Sequence, residues 1–105
     1  MQIYNKLVRD KIPKIIKSNG ENPIICILDD NKYKEELEKK LYEEYKEVIE
    51  SSGTDRIEEL ADMLEVIKAL AKLENKTIDD VIEVAKKKVE KRGAFDNKVF
   101  LERVE

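Results

Sequence analysis

Two pairs of carboxylates are the residues in this sequence best placed to do chemistry. Glu44 and Glu47 form one pair at i and i+3, and Glu59 and Asp62 form another, so on a helix each pair shares one face. In the first helix the series Leu37, Leu41, Glu44, Val48 runs at spacings of four, three and four, which puts Glu44 where an apolar residue belongs. Glu47 falls at the border of the same stripe. In the second, Glu59 lines up with Met63, Val66 and Leu70, and Asp62 sits beside Val66. Glu58 falls instead with Glu65 and Lys72 on a polar side, which makes Glu59 the member of the pair. Four carboxylates that lean toward buried ground cannot all stay ionised without a cation, because repulsion and desolvation both oppose the charged state. Oxygen donors with no histidine or cysteine cluster nearby select a hard divalent ion, Mg²⁺ or its stand-in Mn²⁺, over zinc or copper. Such an ion completes its shell with water and phosphate oxygens, so the chemistry implied is phosphate chemistry. Acidic residues number 24 in 105, and a single i, i+3 pair is ordinarily a solvated face. Two pairs that both intrude on apolar stripes are the departure from that pattern.

The rest of the composition removes alternatives. There is no histidine, which excludes Ser-His-Asp and Cys-His triads, histidine-ligated zinc and imidazole acid–base catalysis. Lys and Arg total 21 and the net charge is -3, so bulk positive charge for binding nucleic acid is missing and any anion site must be local. The single cysteine, Cys26, lies in the apolar run Pro23 to Leu28; it cannot form an intrachain disulfide, reads as core, and suits a reducing compartment. No stretch is long and apolar enough to span a bilayer, and residues Met1 to Lys6 lack a signal peptide's apolar stretch. A cytoplasmic protein acting on neither membrane nor nucleic acid is the expectation.

Charged residues at 43%, hydrophobic residues at 41%, three glycines and two prolines favour long amphipathic helices, and 105 residues make one domain, 1–105. Pro13 is placed to open a short helix that Gly20 would end. The β-branched run 23–28 reads as a short strand, followed by capping candidates Asp29, Asp30 and Asn31. A first long helix then runs from about Tyr33 to Ser51 and stops at Ser51-Ser52-Gly53. Asp55 to Glu58 resembles a capping box for a second helix. That helix carries two apolar stripes, Ile57-Leu60-Ala61-Leu64-Ile67-Ala71 and Met63-Val66-Leu70, and should be central. Thr77 to Asp80 begins a third, with Val81, Ile82, Ala85 and Val89 inward and Gly93 at its end. The tail adds a candidate strand around Val99 to Leu101. The predicted fold is mainly α, an antiparallel helical bundle with a short N-terminal arm and one or two short strands. A chain this small with a helix apolar on two sides predicts a homo-oligomer, dimer or tetramer. The turn between the first two long helices, Ser51 to Thr54, is short enough to force antiparallel packing and to bring Glu44 and Glu47 opposite Glu59 and Asp62.

The pattern Glu44-x-x-Glu47 followed by Glu59-x-x-Asp62 resembles the metal motif of the MazG-like all-α nucleoside triphosphate pyrophosphatases. The basic arm Tyr4 to Pro13 and the tail Lys91-Arg92-Gly93-Ala94-Phe95 are similar to those of a small subgroup described as predicted house-cleaning pyrophosphatases, so the resemblance runs nearly the whole length of the chain. Two features depart from it: only 11 residues separate Glu47 from Glu59, and Ala94 stands where a second glycine is often found.

The resemblance implies cleavage of a nucleoside triphosphate between its α- and β-phosphates, giving a monophosphate and pyrophosphate. It also implies Mg²⁺ on Glu44, Glu47, Glu59 and Asp62, polarising the phosphates and placing a water. Glu43 and Glu47 are the candidate bases. Lys6, Arg9 and Lys11 on the arm, or Lys88, Lys91 and Arg92 at the end of the third helix, are candidates for binding phosphate, with Arg9 and Arg92 preferred. Lys86 to Lys88 also have a plainer role as the cationic last turn of a helix, and Tyr42 and Tyr45 are read as packing residues. Two other readings stand beside this one. In one, a non-catalytic helical interaction module uses its acidic pairs in salt bridges; in the other, a phosphoribosyl-ATP pyrophosphohydrolase-like enzyme shares the metal and changes the substrate.

Overall fold

The computed structural model describes residues 1–105 and consists of four helices with no strand: α1 (Ile12–Ser18), α2 (Asp30–Glu50), α3 (Gly53–Leu73) and α4 (Ile78–Arg92). The boundaries follow local chemistry. Pro13 lies in the first turn of α1, where its missing N–H costs nothing. The Asp29 carboxylate accepts from the Lys32 backbone N–H at 2.8 Å and starts α2. In the capping box of α4, the Asp80 N–H donates to Thr77 Oγ1 at 3.2 Å and the Thr77 N–H donates to Asp80 Oδ2 at 2.8 Å. The Thr77 N–H and, at 3.1 Å, the Thr77 hydroxyl both donate to the Asp80 carboxylate and draw it below its ordinary value. Gly93 ends α4 with φ of 81°, a conformation that an L side chain resists.

The start of α3 differs from expectation. The helix begins at Gly53, whose φ is 59°, two residues before Asp55, so the Asp55–Glu58 capping box is not used. The α2–α3 turn is tied down by other bonds. Ser51 Oγ donates to the Val48 carbonyl at 3.1 Å, and the Arg56 guanidinium donates to the Ser51 carbonyl at 2.9 Å. A connection this tight returns the chain antiparallel, and α2 and α3 pack along one another. Their seam holds Leu37, Val66 and Glu44, all buried, and half-buried Leu41, Met63 and Leu70.

α3 touches both α2 and α4 and is central as predicted, but its second stripe is covered only near the α3–α4 turn. Ala71 is buried and Ile67 half-buried, while Ile57, Leu60 and Leu64 face solvent. The residues read as inward on α4 are not inward in this chain: Val81, Ile82, Ala85 and Val89 are all exposed. Neither predicted strand forms. Residues 23–28 and 99–101 have no regular structure, because a strand exists only in a ladder and no segment of this chain is paired with either. Cys26 is exposed rather than in a core. No helix is long and apolar enough to cross a membrane.

Candidate metal centre

The antiparallel packing of α2 on α3 brings the C-terminal half of one against the N-terminal half of the other. Glu44 enters the seam from the Leu37–Leu41–Val48 stripe of α2, and Glu59 enters from the Met63–Val66 stripe of α3. Asp62, one turn along α3, closes the group. One carboxylate oxygen from each of Glu44, Glu59 and Asp62 lies within 4.8 Å of the other two. Glu44 is the one charged residue among the four buried positions of the chain, at 8% exposure. Oε2 of Glu44 and Oε2 of Glu59 are both buried with no hydrogen-bond donor.

Glu47 stands at the rim. It is exposed and is not among the three residues whose oxygens converge, although its charge still bears on Glu44 and Glu59. Ionised carboxylates this near one another repel. The electrostatics record that conflict. Burial first, then Glu47 and Asp62, push the Glu44 carboxyl up from an ordinary value of 4.5 to about 7. The neighbouring Glu47, followed by desolvation and the Asp62 and Glu58 charges, raises Glu59 as well. A set of hard oxygen donors with two orphaned buried oxygens and a surplus of negative charge fits a divalent cation. Glu44, Glu59 and Asp62 form the group that could hold one; Glu47, expected as a fourth ligand, is not among the converging residues.

Two cations border the cluster. Arg9, on the N-terminal arm, donates from its guanidinium to Asp62 Oδ1 at 2.6 Å, which fastens the arm across the acidic group. Lys40 precedes Glu44 by one turn of α2, has a largely covered side chain, and opposes the rise in the Glu44 carboxyl. The sequence reading passed over Lys40. Its i to i+4 spacing to Glu44 was the available signal, obscured by the many lysines of α2.

The other candidates are dispersed. Glu43 points away from the seam, half exposed, with Lys40 Nζ at 3.7 Å. Lys6 lies over the Tyr4 ring, 5.5 Å from its centroid, and Lys11 is the residue before α1. Lys88, Lys91 and Arg92 occupy the exposed C-terminal end of α4, and none of them forms an ion pair with the cluster. Of the six basic residues predicted to bind phosphate, Arg9 is the one that reaches it.

No family model and no solved structure matches the chain. A protein of Mycolicibacterium smegmatis that is itself described as uncharacterized is 44% identical over 43 residues, which cover 41% of this chain and 44% of that protein. The similarity thus spans less than half of either.

Proposed function

We propose that the chain is a Mg²⁺-dependent nucleoside triphosphate pyrophosphohydrolase of the MazG-like all-α kind, working as a homo-oligomer on non-canonical nucleotides. The observation that supports it is the pair of orphaned, buried carboxylate oxygens on Glu44 and Glu59 beside Asp62. A fold keeps such oxygens against desolvation and mutual repulsion when something other than protein neutralises them. Glu44, Glu59 and Asp62 would hold the ion, with Glu47 as the fourth donor or as the base. Bound there, Mg²⁺ would supply charge neutralisation for a phosphate chain and a polarised water.

The chain's own residues divide the remaining work. Hydrolysis joins a water oxygen to phosphorus and breaks the α–β anhydride, with pyrophosphate leaving and the water proton passing to a carboxylate. Glu47, solvent-exposed on the helix that carries Glu44, would take that proton; Glu43 is turned outward onto Lys40. Arg9 is the cation nearest to where phosphate oxygens would lie. Its planar guanidinium suits them, and Asp62 holds it there until a more highly charged partner arrives.

The interaction-module reading retains one observation in its favour, because the Arg9–Asp62 ion pair already gives one member of the cluster a protein counter-charge. The deciding experiment measures monophosphate and pyrophosphate release from a panel of ordinary, deoxy and damaged nucleoside triphosphates with Mg²⁺ and with chelator, alongside Mn²⁺ binding by electron paramagnetic resonance. Chelator-sensitive formation of both products supports the hydrolase. Failure to bind Mn²⁺ hands the cluster to the interaction module.

A further inference from the structure

The two segments that read as strands but lie unpaired are the least explained part of the molecule. In 23–28, Ile24 and Ile27 are 87% and 90% exposed, and in the tail Val99 and Phe100 are each 87% exposed. No backbone hydrogen bond involves residues 22–28 or 99–105. Both segments are rich in β-branched and aromatic side chains, and Pro23 stands at a first strand position, where its missing N–H is tolerated. Free in water, such segments expose both apolar side chains and a bare template for pairing.

The area of the chain shows how much surface is left to cover. It exposes 9954 Å², whereas a compact monomer of 12.3 kDa exposes about 6,100 Å², leaving an excess of roughly 3,900 Å². A standard interface takes about 800 Å² from each partner and an obligate dimer about 1,000–2,500 Å² or more from each, so the excess is larger than one such interface requires. The radius of gyration is 18.1 Å, against about 13 Å for a compact domain of this length. An excess on this scale, spread over residues 23–28, the tail, α3 and α4, exceeds what a small ligand covers and provides more than the area that a dimer of identical chains needs.

We infer that residues 23–28 of one copy pair with residues 99–104 of a second copy, forming two equivalent strand ladders that hold a homodimer together. Under two-fold symmetry, when the first segment of one chain meets the tail of the other, the reverse contact forms as well. All four bare segments are then paired at once in two equivalent ladders, whereas pairing each segment with its own copy would need two different ladders. The strand character of the sequence and the absence of strands from the single chain are thereby reconciled. The ladder does not depend on what the acidic centre binds or hydrolyses.

Cys26, the sole cysteine, sits within the first segment and serves as the probe. Full-length chains carrying Val99→Cys, Phe100→Cys, Leu101→Cys or Glu102→Cys are oxidised mildly and resolved without reductant, with solution mass measured by light scattering. The expected result is a mass twice that of the chain and covalent dimers at alternate positions only, because successive strand residues face opposite sides and a disulfide demands Cα atoms within about 7 Å. A Cys26→Ser background removes those dimers. Several results overturn the pairing: a monomeric mass, a cross-link within one chain, wild-type dimers linked through Cys26 alone, or a dimer that cross-links at none of the four positions. Hydrogen exchange provides an independent reading, with slowed amides in both segments expected and random-coil exchange contradicting the ladder.

Discussion

Glu44 ties the acidic centre to the stability of the fold, and the sign of its effect with pH is fixed by its environment. Burial, Glu47 and Asp62 raise its carboxyl from 4.5 to about 7, so the folded state holds a proton that the unfolded state releases. Glu44 therefore favours folding fully below about pH 4.5, and this contribution is lost as pH rises through about 7. Converted directly, the shift is a ceiling of roughly 3 kcal/mol. Water at the rim and the Lys40 charge screen part of it, and a working magnitude is about 1–2 kcal/mol. The chain without metal should be less stable at pH 8 than at pH 5.5 by that amount, and Glu44→Gln should remove most of the difference and raise stability at pH 8. The amide keeps the volume and sheds the charge. The assay is urea unfolding followed by circular dichroism in chelator at fixed protein concentration, since an oligomer's stability varies with concentration. Stability that is flat or rising between pH 5.5 and 8 in the wild type, or a Glu44→Gln variant destabilised at pH 8, would refute the assignment of a strained, buried carboxylate. The same proton competes with metal, so Mn²⁺ affinity should climb up to about pH 7 and then level.

Asp62→Asn and Glu59→Gln should each lower Mn²⁺ affinity by about 10–100-fold, taking the loss of a tuning contact as the guide, with the helical circular dichroism signal unchanged; full binding in both variants would remove the metal centre. Arg9→Gln frees Asp62 from an exposed ion pair worth about 0–1 kcal/mol, so Mn²⁺ should bind up to ~5-fold more tightly while any nucleotide turnover falls; weaker Mn²⁺ binding would mean that Arg9 positions Asp62 rather than competing for it. Thr77→Ala breaks the α4 capping box and should cost about 1 kcal/mol in urea unfolding, with Mn²⁺ affinity unaltered; loss of metal binding in this variant would show that α4 supports the centre.

The helices and the centre of the site could be read from the sequence because both rest on local periodicity. Glu44 broke an apolar stripe, and the seam buries it; Glu59 rather than Glu58 followed the Met63–Val66–Leu70 line, and Glu59 is the one that reaches Glu44. Asp29 and Thr77 signalled their helices by short-range capping, which needs no tertiary context. The start of α3 misled, because Asp55 and Glu58 have capping-box spacing while the Ser51–Gly53 turn, with Gly53 at positive φ, begins the helix earlier. The phosphate candidates were beyond reach of periodicity: whether a lysine or arginine approaches a site depends on the path of an arm, and the ion pair between Arg9 and Asp62 spans 53 positions.

The remaining mismatch has a single physical origin. Helices satisfy their backbone within one segment, so their sequence signals are fulfilled wherever they lie, but strands and apolar stripes are fulfilled only by a partner. Val81, Ile82 and Val89 carry a valid inward pattern, and residues 23–28 and 99–101 a valid strand pattern, yet all are exposed in one chain. A pattern obeyed by the residues and unmet within one chain marks the surface where the proposed dimer can be tested: the bare faces of α3 and α4 and the two unpaired segments. The α2–α3 seam, by contrast, is already closed within the chain with its carboxylates inside it.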